Sequence, residues 1–340
     1  MHISPPIVSR LAPSPTGVLH LGNARSFLWA WCSARAQGGK VILRVEDLEY
    51  ARARPELIGK MLDDLHWLGL DWDEGPVRKT VAPDIGYGSG WAESGPHGPY
   101  IQSKRRTYYQ SVFERLMDQR SIYPCVCTRA DIAAASSAPH EGEEGPRYPG
   151  TCRGRFVSAE ASIQMSNKPP AWRAIVPEQV QVFEDLLFGE RCVNVQATSG
   201  DFVVAKAPDT PSYQLAVVVD DIAMGVTEVV RGDDLIPSTG RQMILYDYLS
   251  AQKPRYGHAP IVIGPDGGRL AKRHGDARMA SYRENGIRPE ALVGLFARWS
   301  GLDINGAISA RELVSLWDWK KLNKDRIILT PEKLREIDNL

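Results

Sequence analysis

The stretch Ile7-Val8-Ser9-Arg10-Leu11-Ala12-Pro13-Ser14-Pro15-Thr16-Gly17-Val18-Leu19-His20-Leu21-Gly22-Asn23 decides the fold. An apolar run from Ile7 to Leu11 delivers the chain into a Pro/Gly turn at 13–17, and His20 stands at the entry to a helix whose first turn contains Gly22. That helix is predicted from about Leu21 to Gln37, because Gly38-Gly39 stops it, and a second apolar run follows from Val41 to Val45. Two short apolar strands flanking a helix make a βαβ unit with parallel strands and a right-handed connection. The amides and dipole of a helix N-terminus favour phosphate. An imidazole there can donate to a phosphoryl oxygen as charge builds on it, while Gly22 leaves room for a ligand against the backbone. A histidine at a helix start is by itself more often a cap, so the segment needs a partner.

The partner is Gly264-Pro265-Asp266-Gly267-Gly268-Arg269-Leu270-Ala271-Lys272-Arg273-His274-Gly275, a glycine-rich loop with cationic side chains. Such a loop can close over a triphosphate and stabilise charge moving to a leaving pyrophosphate. Between the two segments the chain reads as a helix at 56–68, a Gly/Ser/Pro-rich stretch at 80–99 expected as a mobile surface loop, and a helix at 104–119. A cysteine cluster follows, then strand-like runs at 171–176 and 193–204, a strand at 226–231 and a helix at 239–249. Beyond Asp276 the pattern is helical, clearest at 289–299 and 310–317. These elements predict an α/β fold with a Rossmann-type parallel sheet split by an insertion. The expected parts are a first α/β half at 1–99, an insertion at 100–190, a second α/β half at 191–276, and a small helical subdomain at 277–340.

Composition narrows the class. With 340 residues, 43% hydrophobic and 24% charged, the chain has material for about two globular domains and matches no fibrous or disordered class. Its longest apolar runs fall far short of the roughly 18 residues a membrane span needs. The N-terminus lacks the pattern of a secretory signal, so the expected address is the cytoplasm. The net charge is +0, but the first 60 residues hold 8 basic against 4 acidic side chains and the last 90 hold 16 against 11. A phosphate-binding face built from both ends is therefore permitted, beside the plainer reading of ordinary surface variation. Five cysteines at irregular spacing suit metal ligands or core positions in a reducing compartment.

His20-Leu21-Gly22-Asn23 and Arg269-Leu270-Ala271-Lys272-Arg273 together resemble the two signatures of class I aminoacyl-tRNA synthetases. The surrounding blocks are similar to the glutamate branch: Arg10 to Gly17, Arg44-Val45-Glu46-Asp47, Gly98 to Ser103, Tyr213 to Asp221 and Val230 to Leu235, in that order. The resemblance implies an ATP-dependent ligase in which His20, Gly22, Asn23, Arg269, Lys272 and Arg273 meet ATP, with His20 and Lys272 stabilising the charge that develops. Asn23 stands where the first signature has a second histidine. Arg269 and Ala271 replace a lysine and a serine of the second, which puts the strength of loop closure in question. For glutamate, the resemblance places Arg10, Ser14, Glu46, Tyr213 and Arg231 in the amino-acid pocket. Arginines suit the substrate carboxylates, Glu46 its ammonium and Tyr213 a hydrogen bond.

Cys125-Val126-Cys127 and Tyr148-x3-Cys152 offer three thiolates and a phenol, a set similar to the zinc site of the glutamyl-Q tRNA(Asp) synthetase family; His140 is the alternative to Tyr148 as fourth ligand. Cys32 and Cys192 are read as core residues. The reaction implied is attack of the glutamate α-carboxylate on the α-phosphate of ATP, with Mg²⁺, followed by transfer of the glutamyl group to an acceptor. The 64 residues after Asp276 are too few for the anticodon-binding domain of an ordinary glutamyl-tRNA synthetase. They fit the glutamyl-Q family, which attaches glutamate to queuosine in tRNA(Asp). The alternatives are an abbreviated glutamyl-tRNA synthetase acting on tRNA(Glu) and a catalytically idle binding paralogue. A monomer with no membrane association is expected.

Overall fold

The computed structural model describes residues 6–48, 52–79, 86–87, 90–135, 146–268 and 277–340. The opening βαβ unit forms as the sequence suggests: β1 (Val8–Leu11), α1 (Leu21–Ala36) and β2 (Lys40–Leu43) follow in order. The two strands pair in parallel from Val8↔Lys40 to Leu11↔Leu43. After α2 (Ile58–Trp67) come β3 (Gly75–Arg78) and β4 (Trp91–Ser94), an antiparallel pair. The described part of 80–99 is thus not a surface loop throughout: Tyr87 is buried, and so is Trp91, with Arg78 over its ring at 4.4 Å. Gly and Ser around them mask two large apolar anchors whose burial contributes about 2 kcal/mol or more each. Residues 80–85 and 88–89 lie outside the described part.

The chain then runs through α3 (Arg106–Asp118), β5 (Ile122–Cys125), α4 (Arg129–Ala135), α5 (Ala159–Ser166) and β6 (Ala171–Ala174). Next are β7 (Gln181–Asp185), β8 (Gly189–Val193), α6 (Val195–Thr198), β9 (Val203–Ala207) and β10 (Thr210–Pro211). Strand pairing does not follow a boundary at 190. β10-β9-β6-β5 form one antiparallel sheet, while the β7–β8 hairpin joins the sheet of the two strands at 228–232 and 255–259. The strands of the two sheets therefore interleave between 171 and 211. Period-2 burial, as along β7, marks a strand without saying which sheet it will join. The expected strand at 193–204 is interrupted by α6, which Asn194 caps through its side chain to Ala197 N–H at 2.9 Å.

The chain continues with α7 (Tyr213–Ala223), β11 (Glu228–Gly232), α8 (Ile236–Tyr248), β12 (Arg255–Ala259) and β13 (Val262–Ile263). β11, β12 and β7 are parallel neighbours. The first βαβ unit joins them where Thr227 N–H donates to the Val8 carbonyl at 2.9 Å. The last segment contributes α9 (Met279–Glu284), α10 (Pro289–Trp299), α11 (Ala310–Val314), β14 (Ile327–Ile328) and α12 (Pro331–Asp338). It is docked rather than appended, because β14 pairs with β13 and Trp29 of α1 packs edge-on against Trp317 and Trp319 at 5.4 and 5.6 Å. A Cβ on Gly257 would come within 2.6 Å of the Trp319 ring, so that strand position requires glycine.

Under the sheet lies a fully buried ionic cluster. Asp220 on α7 accepts from Arg105 Nε at 2.6 Å, Gln102 Nε2 at 2.8 Å and the Tyr109 hydroxyl at 3.0 Å. Its neighbour Asp221 accepts from Arg44 at 2.7 Å. Removing a buried partner leaves the opposite charges uncompensated, so Asp220→Ala is expected to lower stability by about 3–5 kcal/mol in urea denaturation. Asp247→Ala, which breaks an exposed pair with Lys253, is expected to cost no more than about 1 kcal/mol.

Candidate active site

A cleft of about 320 Å³ opens where the first turn of α1 faces the C-terminal ends of β1 and β11. Its walls bring together seven residues singled out from the sequence: Arg10, His20, Gly22, Asn23, Glu46, Tyr213 and Arg231. Asp234, Phe27 and Val262 also line it. Ser14 is exposed and does not line the cleft, although the neighbouring Pro13 carbonyl accepts from Glu46 N–H at 2.9 Å. Arg269, Lys272 and Arg273 lie outside the described residues. The chain re-enters at Ala277, whose carbonyl accepts from Leu21 N–H at 2.8 Å, beside the first turn of α1.

His20 caps α1, with Nδ1 facing Asn23 N–H at 3.4 Å. Burial pushes its imidazole below the usual range, so at neutral pH it is an uncharged group that can donate from Nε2. A Cβ at Gly22 would lie 3.3 Å from the His20 ring, so this glycine accommodates the imidazole itself as well as opening the wall.

The two arginines and the glutamate of the cleft differ in how they are held. Arg10 makes one long bond to the Val230 carbonyl, 3.3 Å, and pairs with Asp221 at 3.5 Å. Glu46 accepts from Arg44 at 3.0 Å, and burial pushes its carboxyl up against the pull of Arg44 and Arg10. Arg231 donates to Gln242 Oε1 and Thr239 Oγ1, both at 2.8 Å, and among the described residues no carboxylate pairs with it. Its positive charge is therefore available to an anionic ligand. The cleft can hold an anion at the arginines, a cation at Glu46 and a phosphate at the start of α1. Asp220, Asp221 and Arg44 lay within blocks quoted from the sequence but carried no assigned role there. The signal was a pair of acids closing an apolar run on a helix, which is costly unless paired.

A second cluster sits in the insertion. Cys125 ends β5, Cys127 follows in the turn, and 146–155 brings Tyr148 and Cys152 against them; the three sulfurs lie within 4.8 Å of one another. Cys127 and Cys152 sulfurs are 3.5 Å apart, and the Tyr148 hydroxyl is 3.3 Å from Cys125 Sγ and 4.0 Å from Cys127 Sγ. A tetrahedral ion with metal–sulfur bonds of about 2.3 Å needs ligands about 3.8 Å apart, so these four atoms fit one soft cation. His140 lies outside the described residues. Burial raises the Cys125 thiol, but its hydrogen bond with the Tyr148 hydroxyl and the one it accepts from Arg173 Nε, 3.3 Å away, more than reverse it. Burial and the neighbouring sulfurs push Cys127 up to about 12. Cys32 is a core residue as expected, whereas Cys192 is exposed, since it occupies the outward position of β8 beside buried Val193.

The chain matches the family model for "tRNA synthetases class I (E and Q), catalytic domain" over residues 6–336. A solved glutamate tRNA ligase from Elizabethkingia meningosepticum superposes with a TM-score of 0.78 at 27% identity, covering 97% of this chain and 68% of that one. Fold and site thus define a class I synthetase catalytic domain, and the protein is a ligase of that class. A glutamyl-Q tRNA(Asp) synthetase of Symbiobacterium thermophilum is 44% identical over 330 residues, 96% of this chain and 97% of that protein. Another, from Nitratidesulfovibrio vulgaris, is 45% identical over 87% of each. Glutamate–tRNA ligase 1 of a Thermoanaerobacter species is 33% identical, and the chain spans 64% of its length. The chain belongs to the glutamyl-Q tRNA(Asp) synthetase family.

Titration of metal-free protein with Cd²⁺ is expected to saturate at one ion per chain with a thiolate charge-transfer band, and Cys152→Ser to weaken binding strongly. No band, or a band indifferent to that substitution, would contradict the four-ligand site.

Proposed function

We propose that the chain activates L-glutamate with ATP to glutamyl-adenylate and transfers the glutamyl group to the queuosine base in the anticodon of tRNA(Asp). The observation that carries the reading is the composition of the cleft: two arginines, one of them without a carboxylate partner among the described residues, stand with a half-buried glutamate and a histidine-capped helix N-terminus around one small cavity. A dicarboxylic amino acid with one ammonium matches that set of charges. Arg231 and Arg10 take its carboxylates, Glu46 its ammonium, and Tyr213 adds a hydrogen bond.

ATP, accompanied by Mg²⁺, lies against Gly22 and Asn23 with its phosphates at the start of α1. The glutamate α-carboxylate oxygen attacks the α-phosphorus, the bond to the bridging oxygen breaks, and pyrophosphate leaves with its charge met by His20, Lys272 and the arginines at 269 and 273. A hydroxyl of the acceptor base then attacks the acyl carbon, and AMP departs. Positioning and charge stabilisation are all the protein supplies, which is why no nucleophilic side chain is needed.

The cation of the cysteine cluster is proposed to be zinc, held by Cys125, Cys127, Tyr148 and Cys152. When bound it ties the 125–127 turn to the 146–152 segment, a structural task remote from the reacting atoms. A cytoplasmic, monomeric enzyme belongs to the same reading; no helix among the described residues is long and apolar enough to cross a membrane.

Glutamate-dependent ATP–pyrophosphate exchange tests the proposal. Because the Glu46 carboxyl titrates above its usual range, the glutamate KM is expected to rise as pH falls from about 7.5 towards 5, when the carboxylate that holds the ammonium is lost. Glu46→Gln should show a high KM with that pH dependence flattened. No exchange with or without tRNA would leave an idle paralogue.

A further inference from the structure

Arg231 reaches the cleft from β11, and its far side is held by a buried pair on the neighbouring strands β12 and β7. Its Nε faces His258 Nε2 at 3.4 Å, and the two residues are direct partners across the parallel β11–β12 register. His258 is fully buried, and its Nδ1 lies 2.6 Å from Asp185 Oδ2 at the end of β7. Asp185 is held in turn: its Oδ1 accepts from the backbone N–H groups of Leu187 and Phe188 at 2.9 and 3.0 Å. Thr239 of α8 closes the set, with Oγ1 3.2 Å from His258 Nε2 and 2.8 Å from Arg231.

A carboxylate can only accept, so the proton between Asp185 and His258 sits on Nδ1 and the imidazole turns a lone pair toward Arg231. We infer that Asp185 and His258 are positioning residues, a lateral relay across three parallel strands that fixes the imidazole tautomer so that Arg231 is held toward the substrate carboxylate. The inference rests on the proposed meeting of Arg231 with a glutamate carboxylate. Neither residue lines the cleft, so neither touches substrate. The other groups facing the imidazole are Tyr256 of the same strand, Phe183 of β7 and the Asp233 charge just beyond β11. Burial holds His258 below the usual imidazole range despite Asp185, which keeps the ring neutral beside the guanidinium.

An isosteric change separates tautomer control from packing. Asp185→Asn keeps the acceptor for Leu187 and Phe188 but turns an amide N–H toward His258 Nδ1, which forces the imidazole proton onto Nε2 against Arg231. The same inversion of roles follows from an Asp-to-Asn change in a Ser-His-Asp triad. His258→Leu removes the lone pair, and His258→Gln keeps a carbonyl acceptor near its place. All three are measured by pyrophosphate exchange with separate glutamate and ATP titrations. Asp185→Asn and His258→Leu are expected to raise the glutamate KM about tenfold or more while the ATP KM stays within about twofold, and His258→Gln to remain within about threefold of wild type. Equal impairment by His258→Gln and His258→Leu, parallel rises in both KM values, or an unchanged glutamate KM in Asp185→Asn and His258→Leu would overturn the inference. If Asp185→Asn fails to fold, the two His258 variants decide it. Lack of glutamate-dependent exchange in the wild type would instead overturn the functional reading itself.

Discussion

The structure depends on a buried ionic cluster in which Arg10, Arg44 and Arg105 meet Glu46, Asp220 and Asp221. Three charges of each sign make it neutral. Burial works against the Arg44 guanidinium, and Asp221, Glu46 and Asp220 more than reverse that effect. Such clusters add little net stability compared with apolar packing, but they tolerate few arrangements, because every misplaced member leaves a desolvated charge. This one ties β1, the segment after β2, the start of α3, and α7 into a single geometry. Two of its members, Arg10 and Glu46, form part of the cleft wall.

That geometry gives the cleft its chemistry. Arg10 and Glu46 are already matched within the cluster, whereas among the described residues Arg231 is held by neutral groups: Gln242, Thr239, the Leu235 carbonyl and the imidazole of His258. An anionic ligand is therefore drawn to Arg231 without displacing an internal carboxylate, and preorganised neutral partners keep its orientation before binding. The helix-capping histidine lines the same cleft, and the chain returns at Ala277 beside the first turn of α1, whose Leu21 N–H donates to the Ala277 carbonyl.

Much of this was legible in the sequence because the signals are local. The strand–turn–helix at 8–36 is written by an apolar run, a Pro/Gly turn and a Gly-Gly stop, and the structure forms it within a residue or two. Seven of the candidate site residues converge on one cleft because they sit at the ends of strands and helices whose order is fixed by the parallel sheet. What stayed hidden depends on long-range partners. The β7–β8 hairpin has the alternation of any half-buried strand, and only its pairing with β12 assigns it to the catalytic sheet. Trp91 and Tyr87 are buried within a stretch whose glycines and serines suggest a loop. Asp185 and His258 are 73 residues apart, and nothing at either position announces the other. Cys192, taken for a core residue, is exposed, since one position of register decides which face a strand residue occupies.

The most direct test of the account is transfer of labelled glutamate by the purified protein, with ATP and Mg²⁺, onto tRNA(Asp) containing queuosine, the same tRNA lacking it, and tRNA(Glu). Label on the first alone is the predicted result. Label on tRNA(Glu), or on tRNA(Asp) regardless of queuosine, would contradict the account.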